Sequence, residues 1–253
     1  MTLLEKHLAR LKNQAAWITG GKRIGQVVAR TLAEQGVNLV ISYRSSKREA
    51  LETAAAARQL GVQALVLPAD VSSQASVQAA VDRVRHEFPH IHILVSMASV
   101  YRPVAIEDLT QADWEENFAA HVLGTFWPAR LIAPHMPSGA HIINIADITS
   151  IARPQKSNLP YLVTKAAVAS LTRTLALEYA EKGLFVNAIA PGPILPPEDF
   201  PRQRWQRIRE RSPVKFPVSD EEAVEQFALL VLYLSLTTMT SGQIYPLDQA
   251  QSL

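Results

Sequence analysis

The chain has 253 residues, of which 48% are hydrophobic and 19% charged, so it can bury a sizeable core and is not expected to be disordered. The formal net charge of +2 excludes a large electrostatic surface for nucleic acid, and we expect a small molecule as the binding partner instead. The absence of cysteine excludes disulfides, thiolate metal ligands and cysteine nucleophiles. We expect no metal site, and a cytoplasmic location fits this composition.

Residues 1–14 are predicted to form a short amphipathic helix or a frayed leader. Leu4, Leu8 and Leu11 have helical spacing, but charged residues interrupt them, so this segment does not have the pattern of a signal peptide. Elsewhere the sequence has no run approaching the ~20 apolar residues that a membrane span requires. We therefore expect no membrane partner.

From residue 15 onward, short apolar runs alternate with helix-length segments, which is the pattern of repeated βαβ units around a parallel sheet. The apolar runs are AAWITG, VNLVISY, VQALVLP, IHILVSMA, AHIINIA, LFVNAIAP and GQIYPL. Helices are predicted over 24–35, 47–60, 72–88, 113–136 and 161–182, with Gly36, Gly61 and Gly183 just past three of their ends. Because nearly continuous apolar strands indicate burial on both faces, we predict one α/β domain over 15–253 with helices on both faces of the sheet.

A compositional break covers 191–217. This segment holds seven of the 16 prolines together with the charged run RQRWQRIRER. A last helix pattern and the run GQIYPL still follow it, so we interpret the segment as a substrate lid or helical insertion rather than a linker between domains.

The first strand runs into a glycine-containing turn, WITGGKRIG, which opens a helix. Such a backbone can approach a pyrophosphate whose charge the helix N-terminus stabilises, although a plain strand-to-helix turn is the alternative. The second strand ends in SYRSSK, where Arg44 beside Ser45 favours a 2′-phosphate and hence NADPH, unless it is a solvated surface charge. Asp70, which closes the third strand, can hold an adenine amino group or cap the following helix.

A tyrosine and a lysine lie four positions apart in YLVTK, so Tyr161 and Lys165 share one face of a predicted helix. A nearby ammonium is expected to lower the pKa of the Tyr161 phenol and to allow proton exchange with a substrate near neutral pH. Asp147 ends the strand that precedes them, and it is a third candidate catalytic residue.

The chain resembles the short-chain dehydrogenase/reductase family from Ala15 to Leu247. The matching segments, in the family's order, are TGGKRIG, ADVSS, LVSMAS, IINIAD, YLVTK and VNAIAPGPI. The resemblance implies a Rossmann-like doubly wound parallel sheet, a nicotinamide cofactor, a homotetramer built through the helices over 113–136 and 161–182, a proton donor at Tyr161, and a ribose-holding, tyrosine-tuning ammonium at Lys165. The cofactor-binding residues that it implies are Gly20, Arg23, Ile24, Tyr43, Arg44, Ser45, Asp70, Val71, Ala98, Ser99, Tyr161, Lys165, Pro191, Gly192 and Ile194.

Within that family the sequence is similar to the pteridine reductases, which carry aspartate at the position of Asp147 where most members have serine. An ionised carboxylate cannot donate a hydrogen bond to a carbonyl, whereas it can serve proton delivery to a nitrogen. The resemblance implies substrate contacts from Arg23, Ser99, Tyr101, Asp147 and Tyr161, with Tyr101 stacking on a flat ring. We therefore predict an NADPH-dependent reductase of a pterin or similar planar nitrogen heterocycle. A 3-oxoacyl or other carbonyl reductase and a non-catalytic dinucleotide-binding protein are the alternatives.

The sequence also departs from the family's pattern. The glycine loop is one residue shorter than usual, Ser96 replaces an asparagine, and His121 stands where the family has a structural asparagine, so that it either relays protons or fills space. The interval between Asp147 and Tyr161 is 14 positions, one more than usual, which makes the hydroxyl of Thr149 an alternative to Asp147. The C-terminal PLDQAQSL lacks the usual paired glycines and is expected to pack differently.

Overall fold

The computed structural model describes residues 2–198 and 200–253. Met1 and Asp199, which fall in the predicted leader and lid, lie outside the described residues, as do the side chains of Leu3 and Leu4. The described chain forms one seven-stranded sheet in the order β3-β2-β1-β4-β5-β6-β7 with every neighbouring pair parallel. The strands are β1 (Ala15–Thr19), β2 (Asn38–Tyr43), β3 (Ala64–Pro68), β4 (Ile93–Ser96), β5 (His141–Ile145), β6 (Phe185–Pro191) and β7 (Ile244–Leu247).

Helices cover both faces of this sheet, as the apolar strands predict. They are α1 (Leu3–Ala9), α2 (Ile24–Glu34), α3 (Lys47–Gln59), α4 (Gln74–Glu87), α5 (Gln111–Asn117), α6 (Gly124–Ile132), α7 (Ile148–Ile151), α8 (Leu159–Glu178), α9 (Arg202–Glu210) and α10 (Asp220–Leu234). Side chains of α2, α3 and α10 pack on one face, and side chains of α4, α6 and α8 pack on the other. Successive residues of a strand point to opposite faces of the sheet. Ile18 therefore packs in the core beneath α2, α3 and α10, and Trp17 packs in the core beneath α4, α6 and α8. The predicted doubly wound single domain is confirmed.

The predicted helix over 113–136 is not one α-helix. It divides into α5, a π-helical segment at Phe118–Leu123, and α6, which ends in a 3₁₀ turn at Ala133–His135. Pro128 inside α6 has no N–H to give to the turn before it, and the π segment admits an extra residue into the helix. As a result the ring of His121, in the π segment, lies in the buried interior and not at the surface.

Gly36, Gly61 and Gly183 follow the ends of three helices, as predicted. Each has a positive φ, between 72° and 87°, which is the conformation that favours glycine at a helix C-terminus. The strand order reverses between β1 and β4. From β1 the chain adds β2 and β3 toward one edge of the sheet, and from β4 it adds β5, β6 and β7 toward the other edge. In a sheet of this kind a crevice opens outside the carboxyl ends of the strands at that point. No helix in the described part of the chain has the length and apolarity to cross a membrane.

Candidate active site

A cleft of about 900 Å³ lies at the carboxyl ends of the strands. Every residue named above for catalysis, cofactor binding or substrate binding lines it, although these residues come from seven separate stretches of chain. Parallel strands explain this convergence, because their carboxyl ends meet at one edge of the sheet. The roles assigned to the individual residues stay predictions.

The glycine loop between β1 and α2 is built for close backbone approach. Gly20 has φ of +78°, and a side chain there would meet the backbone of Ala98 at 3.1 Å. A Cβ on Gly25 would lie 2.6 Å from the carbonyl oxygen of Gly20, so the first turn of α2 packs directly on the loop. Thr19 ties the loop to the next strand end, since its Oγ1 accepts from the backbone N–H of Met97 at 3.1 Å. The shortened loop thus keeps a tight strand-to-helix turn, with Arg23 taking a positive φ of 56°.

Arg44 and Ser45 are exposed at the end of β2 and face the cleft. Asp70 does not cap α4, whose N-cap is Ser73. Instead its Oδ1 accepts from the backbone N–H of Ser72 at 3.0 Å and from its hydroxyl at 2.6 Å. These hydrogen bonds, aided by the charge of Arg44, hold the pKa of Asp70 below its ordinary value. An ionised Asp70 has acceptor capacity left for an adenine amino group.

The lid contacts the glycine loop directly. The Nη2 of Arg23 donates to the carbonyl oxygen of Pro196, and Lys22 Nζ lies 2.7 Å from a carboxylate oxygen of Glu198. Helix α9 places Trp205 and Ile208, three positions apart on one face, on the cleft. The segment therefore borders the cleft, and its role as a substrate lid stays a prediction.

Asp147 and Tyr161 form the centre of the site. The hydroxyl of Tyr161 donates to Asp147 Oδ2 at 2.9 Å, while Asp147 Oδ1 accepts from the backbone N–H of Thr149 at 2.8 Å and from its hydroxyl at 2.5 Å. Asp147 is thereby the N-cap of α7 as well as the partner of the phenol. The interval before Tyr161 contains α7 and an exposed loop at 152–157. The Thr149 hydroxyl donates its proton to Asp147, and the choice between Asp147 and Thr149 as the catalytic group stays a prediction.

The expected lowering of the Tyr161 pKa is wrong for this arrangement. Burial raises the pKa of Tyr161 well above its ordinary value, and the negative charge of Asp147 raises it further. Lys165 Nζ donates to the carbonyl oxygen of Ile145 at 2.8 Å and lies 5.9 Å from the centre of the Tyr161 ring. The ammonium of Lys165 does not bring the pKa of Tyr161 down against the effect of burial, so Tyr161 holds its proton firmly at neutral pH.

Lys165 should make stability depend on pH. Burial lowers the pKa of Lys165 from 10.5 to about 8, against the opposing effect of Asp147. Between these values the unfolded chain binds a proton that the folded chain does not, so stability rises with pH across this window. From pH 8 to 10.5 we expect the wild type to gain on the order of 3 kcal/mol in free energy of unfolding relative to Lys165→Met. Urea unfolding at a series of pH values measures this, and a constant difference would contradict the lowered pKa.

The other end of the cleft carries aromatic and amide groups. Tyr101 is 44% exposed and packs edge-to-face on Tyr161, with 5.0 Å between ring centres. Its hydroxyl lies 3.4 Å from Asn158 Nδ2, and Asn158 precedes α8. Sequence reasoning missed Asn158 and also missed Trp205 and Ile208. Trp205 and Ile208 lie three positions apart in the run RQRWQRIRER, and this helical spacing could have identified them. Nothing in the sequence indicated Asn158.

His121 does not present a free nitrogen to Lys165. Its Nδ1 lies 2.8 Å from the hydroxyl of Thr164, and its Nε2 lies 2.9 Å from that of Ser99. Both ring nitrogens are therefore engaged, which argues against His121 as a proton relay. Ser96, the other departure, has a buried hydroxyl with no partner among the described residues.

The residues of the cleft fit a nicotinamide dinucleotide. The close approach at Gly20 leaves room for a pyrophosphate at the backbone and for no side chain, and Arg44 has no acidic partner within the described chain. Gly192 follows β6 directly, and a Cβ there would lie 2.9 Å from the Cβ of Asp248, so the packing at this end of β6 excludes a side chain. The described residues contain no grouping of histidine, aspartate and glutamate suited to a metal ion.

Comparison with known proteins gives consistent results. The sequence model of a family described as enoyl-(acyl carrier protein) reductase matches residues 20–249. The uncharacterized oxidoreductase YhxC of Bacillus subtilis is 34% identical over 245 residues, which cover 94% of this chain and 84% of that protein. Glucose 1-dehydrogenase 2 of the same organism is 29% identical, with 88% of each chain covered. The structure of a short-chain dehydrogenase from Burkholderia cenocepacia in complex with NADP has a TM-score of 0.88 at 27% identity, covering 96% of this chain and all of that one.

Proposed function

The chain belongs to the short-chain dehydrogenase/reductase family as an NAD(P)-dependent oxidoreductase, and we propose that it uses NADPH to reduce a pterin or similar planar nitrogen heterocycle. The observation that carries this proposal is the hydrogen bond from the Tyr161 hydroxyl to Asp147 Oδ2, 2.9 Å long. It puts a carboxylate beside the proton donor of the site. Such a pair suits proton delivery to nitrogen better than polarisation of a carbonyl.

A carbonyl substrate is disfavoured by the charge of this pair. Reduction of a ketone builds negative charge on oxygen, and an ionised Asp147 next to that oxygen would repel it. Within the described part of the chain, the hydroxyl bonded to Asp147 Oδ1 belongs to Thr149, and its proton already points to the carboxylate at 2.5 Å. A 3-oxoacyl or other carbonyl reductase therefore ranks second.

Tyr161 and Asp147 transfer the proton that the reduction requires. NADPH supplies the hydride when it is bound. Tyr161 gives its hydroxyl proton to the substrate nitrogen next to the carbon that is reduced. The Asp147 carboxylate, half-buried and open to the cleft, then takes a proton from solvent and passes it to the Tyr161 oxygen, which restores both groups. Lys165 is held by the carbonyl of Ile145, and the family resemblance places the ribose against its ammonium.

Arg44 supports the choice of NADPH over NADH. It is exposed on the cleft at the end of β2, where the adenosine ribose of a dinucleotide fold lies, and no acidic side chain stands beside it in SYRSSK. A guanidinium there pairs with a 2′-phosphate. An acidic residue, which would hold the ribose hydroxyls of NADH, is missing from this turn.

Replacing Arg44 should change cofactor preference. Arg44→Ala is expected to weaken NADPH binding by about 10- to 100-fold, because it removes one charge-assisted hydrogen-bonding group. NADH binding should be unchanged, because NADH has no 2′-phosphate. Arg48→Ala is the matched control, because Arg48 is also exposed but pairs with Glu52 at 3.3 Å and does not line the cleft. Titration of cofactor fluorescence measures both constants. Equal weakening of NADPH and NADH would remove Arg44 from 2′-phosphate recognition.

Substrate class is tested by following NADPH absorbance with a dihydropterin and a 3-oxoacyl thioester side by side. Turnover of the dihydropterin alone is the expected result. Turnover of the thioester alone would overturn the proposal in favour of the carbonyl reductase. A protein that binds NADPH and turns over neither compound would also exclude the pterin proposal.

We also propose that the protein assembles as a homotetramer. Four large apolar side chains are exposed along α5, the π segment and α8, where the family resemblance implies contacts between subunits. They are Trp114, Phe118, Leu159 and Val163, each between 38% and 50% exposed. Exposed apolar side chains favour association, and the mass of the protein in solution is the measurement that decides.

A further inference from the structure

His121 joins three elements around the catalytic tyrosine. Its Nδ1 faces the Thr164 hydroxyl of α8 at 2.8 Å, and its Nε2 faces the Ser99 hydroxyl of the β4 loop at 2.9 Å and the Val100 N–H at 3.3 Å. Its ring also packs edge-to-face on Tyr161, with 5.3 Å between ring centres. The ring is 99% buried, and burial together with the charge of Lys165 lowers its pKa to about 3. It therefore carries a single N–H at neutral pH, and which nitrogen holds that hydrogen decides what its neighbours do.

The neighbours of Thr164 determine the answer. The Thr164 hydroxyl has one hydrogen and lies 2.7 Å from the carbonyl oxygen of Pro160 and 3.0 Å from that of Tyr161, and carbonyl oxygens only accept. The hydrogen goes to one of them, so the Thr164 oxygen accepts from Nδ1–H of His121. Nε2 is then an acceptor.

The opposite tautomer satisfies fewer groups. With the hydrogen on Nε2, the ring would donate to the carbonyl oxygen of Val100 at 3.1 Å, but the Val100 N–H would lose its acceptor. An N–H left unpaired is a rarer and more costly defect than a carbonyl with one free lone pair. The count of satisfied donors thus also favours hydrogen on Nδ1.

This tautomer fixes the direction of the Ser99 hydroxyl. Ser99 is exposed on the cleft, and its only hydrogen has two acceptors within the protein, Nε2 of His121 at 2.9 Å and the carbonyl oxygen of Val100 at 3.4 Å. The shorter contact, to Nε2, takes the hydrogen, so the Ser99 lone pairs face the substrate side. The hydroxyl hydrogen of Tyr161 is bonded to Asp147, and it is the proton that the proposed reaction delivers. Around the reaction centre, Ser99 and Asp147 therefore offer acceptors to a ligand and no donor.

We infer that His121 is a positioning residue which, as the Nδ1–H tautomer, makes Ser99 a hydrogen-bond acceptor and so selects substrates that present N–H donors. The inference rests on the proposed function for the identity of the substrate. Beyond that function, it states that Ser99 accepts, and the substrate donates, the hydrogen bond between them. An amino-substituted heterocycle meets this requirement, whereas a simple ketone, which has only an acceptor, does not. The role of the histidine is thus different from space filling and from proton relay.

The tautomer can be measured without any substrate. In full-length protein labelled with ¹⁵N-histidine, the His121 signal is identified by its loss in His121→Gln, and the pattern of ¹H–¹⁵N correlations shows which nitrogen is protonated. We expect Nδ1–H at neutral pH. Thr164→Val removes the acceptor of that hydrogen and should move it to Nε2. The matched control is Thr174→Val, since Thr174 makes the same type of bond, to Ser170 O at 3.2 Å, on an exposed part of α8. An Nε2–H or doubly protonated ring in the wild type would overturn the inference.

The acceptor role of Ser99 is tested by ligand binding to the NADPH complex. A 2-amino pterin should bind about tenfold more tightly than its 2-deamino analogue, the effect of one neutral hydrogen bond. In Ser99→Ala and in Thr164→Val this ratio should fall close to one, while Thr174→Val should retain it. A ratio that survives in Ser99→Ala would overturn the inference. Failure of both ligands to bind would count against the proposed function, and the tautomer measurement would still decide the inference by itself.

Discussion

Asp147→Ala is expected to lower turnover by about 10²- to 10⁴-fold, the usual contribution of a positioned acid–base group, while NADPH binding stays unchanged. The reason is that the Tyr161 hydroxyl loses the partner that returns its proton, whereas no part of the glycine loop or of Arg44 touches Asp147. Steady-state rates measure the first effect, and cofactor fluorescence measures the second. Near-normal turnover would remove Asp147 from the mechanism.

Asp147 also caps α7, so a structural loss must be separated from a chemical one. Asp147→Ala removes the acceptor of the Thr149 N–H and should reduce stability by ~1 kcal/mol. Asp147→Asn keeps an oxygen for that cap but cannot carry the proton. We expect Asp147→Asn to unfold at nearly the wild-type temperature and yet to be as inactive as Asp147→Ala. Full activity in the amide variant would show that only the cap matters.

Tyr161→Phe is expected to lose about 10²- to 10⁴-fold in turnover because the variant keeps the ring and removes only the proton donor. The ring contacts with Tyr101 and His121, at 5.0 and 5.3 Å between centres, do not involve the hydroxyl and should persist. Stability should therefore change little, and thermal unfolding checks this. A variant that turns over at a rate close to wild type would contradict the role of Tyr161.

The double variant Asp147→Ala with Tyr161→Phe tests whether the two side chains act as a unit. Groups that hand one proton between them have non-additive effects, so the double variant should be no slower than the worse single variant. Independent roles would instead multiply the two losses. Rates of all four proteins with the same substrate complete this cycle.

The architecture of this protein was readable from local patterns. Apolar runs such as AHIINIA are buried on both faces, so they identify a parallel sheet whatever their neighbours are. Gly36 and Gly61 mark helix ends because their positive φ is a local requirement. A few residues of the candidate site, such as Arg44 and Asp70, followed from their places at strand ends, whereas most of the others followed from the family resemblance.

Other features depended on contacts between residues far apart in the chain. The helix over 113–136 was predicted as continuous because its apolar spacing does not show the π segment that buries His121. Arg23 was assigned to a cofactor, but only the fold brings the carbonyl oxygen of Pro196 onto it and places Glu198 beside the neighbouring Lys22.

By itself the sequence determined the parallel sheet and the edge at which a cleft opens, because periodicity and turn chemistry are properties of short segments. Only the tertiary structure decided the protonation of the residues in that cleft. The pKa of Tyr161 was expected to fall and instead rises, because burial and the charge of Asp147 outweigh the ammonium of Lys165. Desolvation and charge proximity act between groups that the chain separates, such as Asp147 and Tyr161, and no local pattern records them.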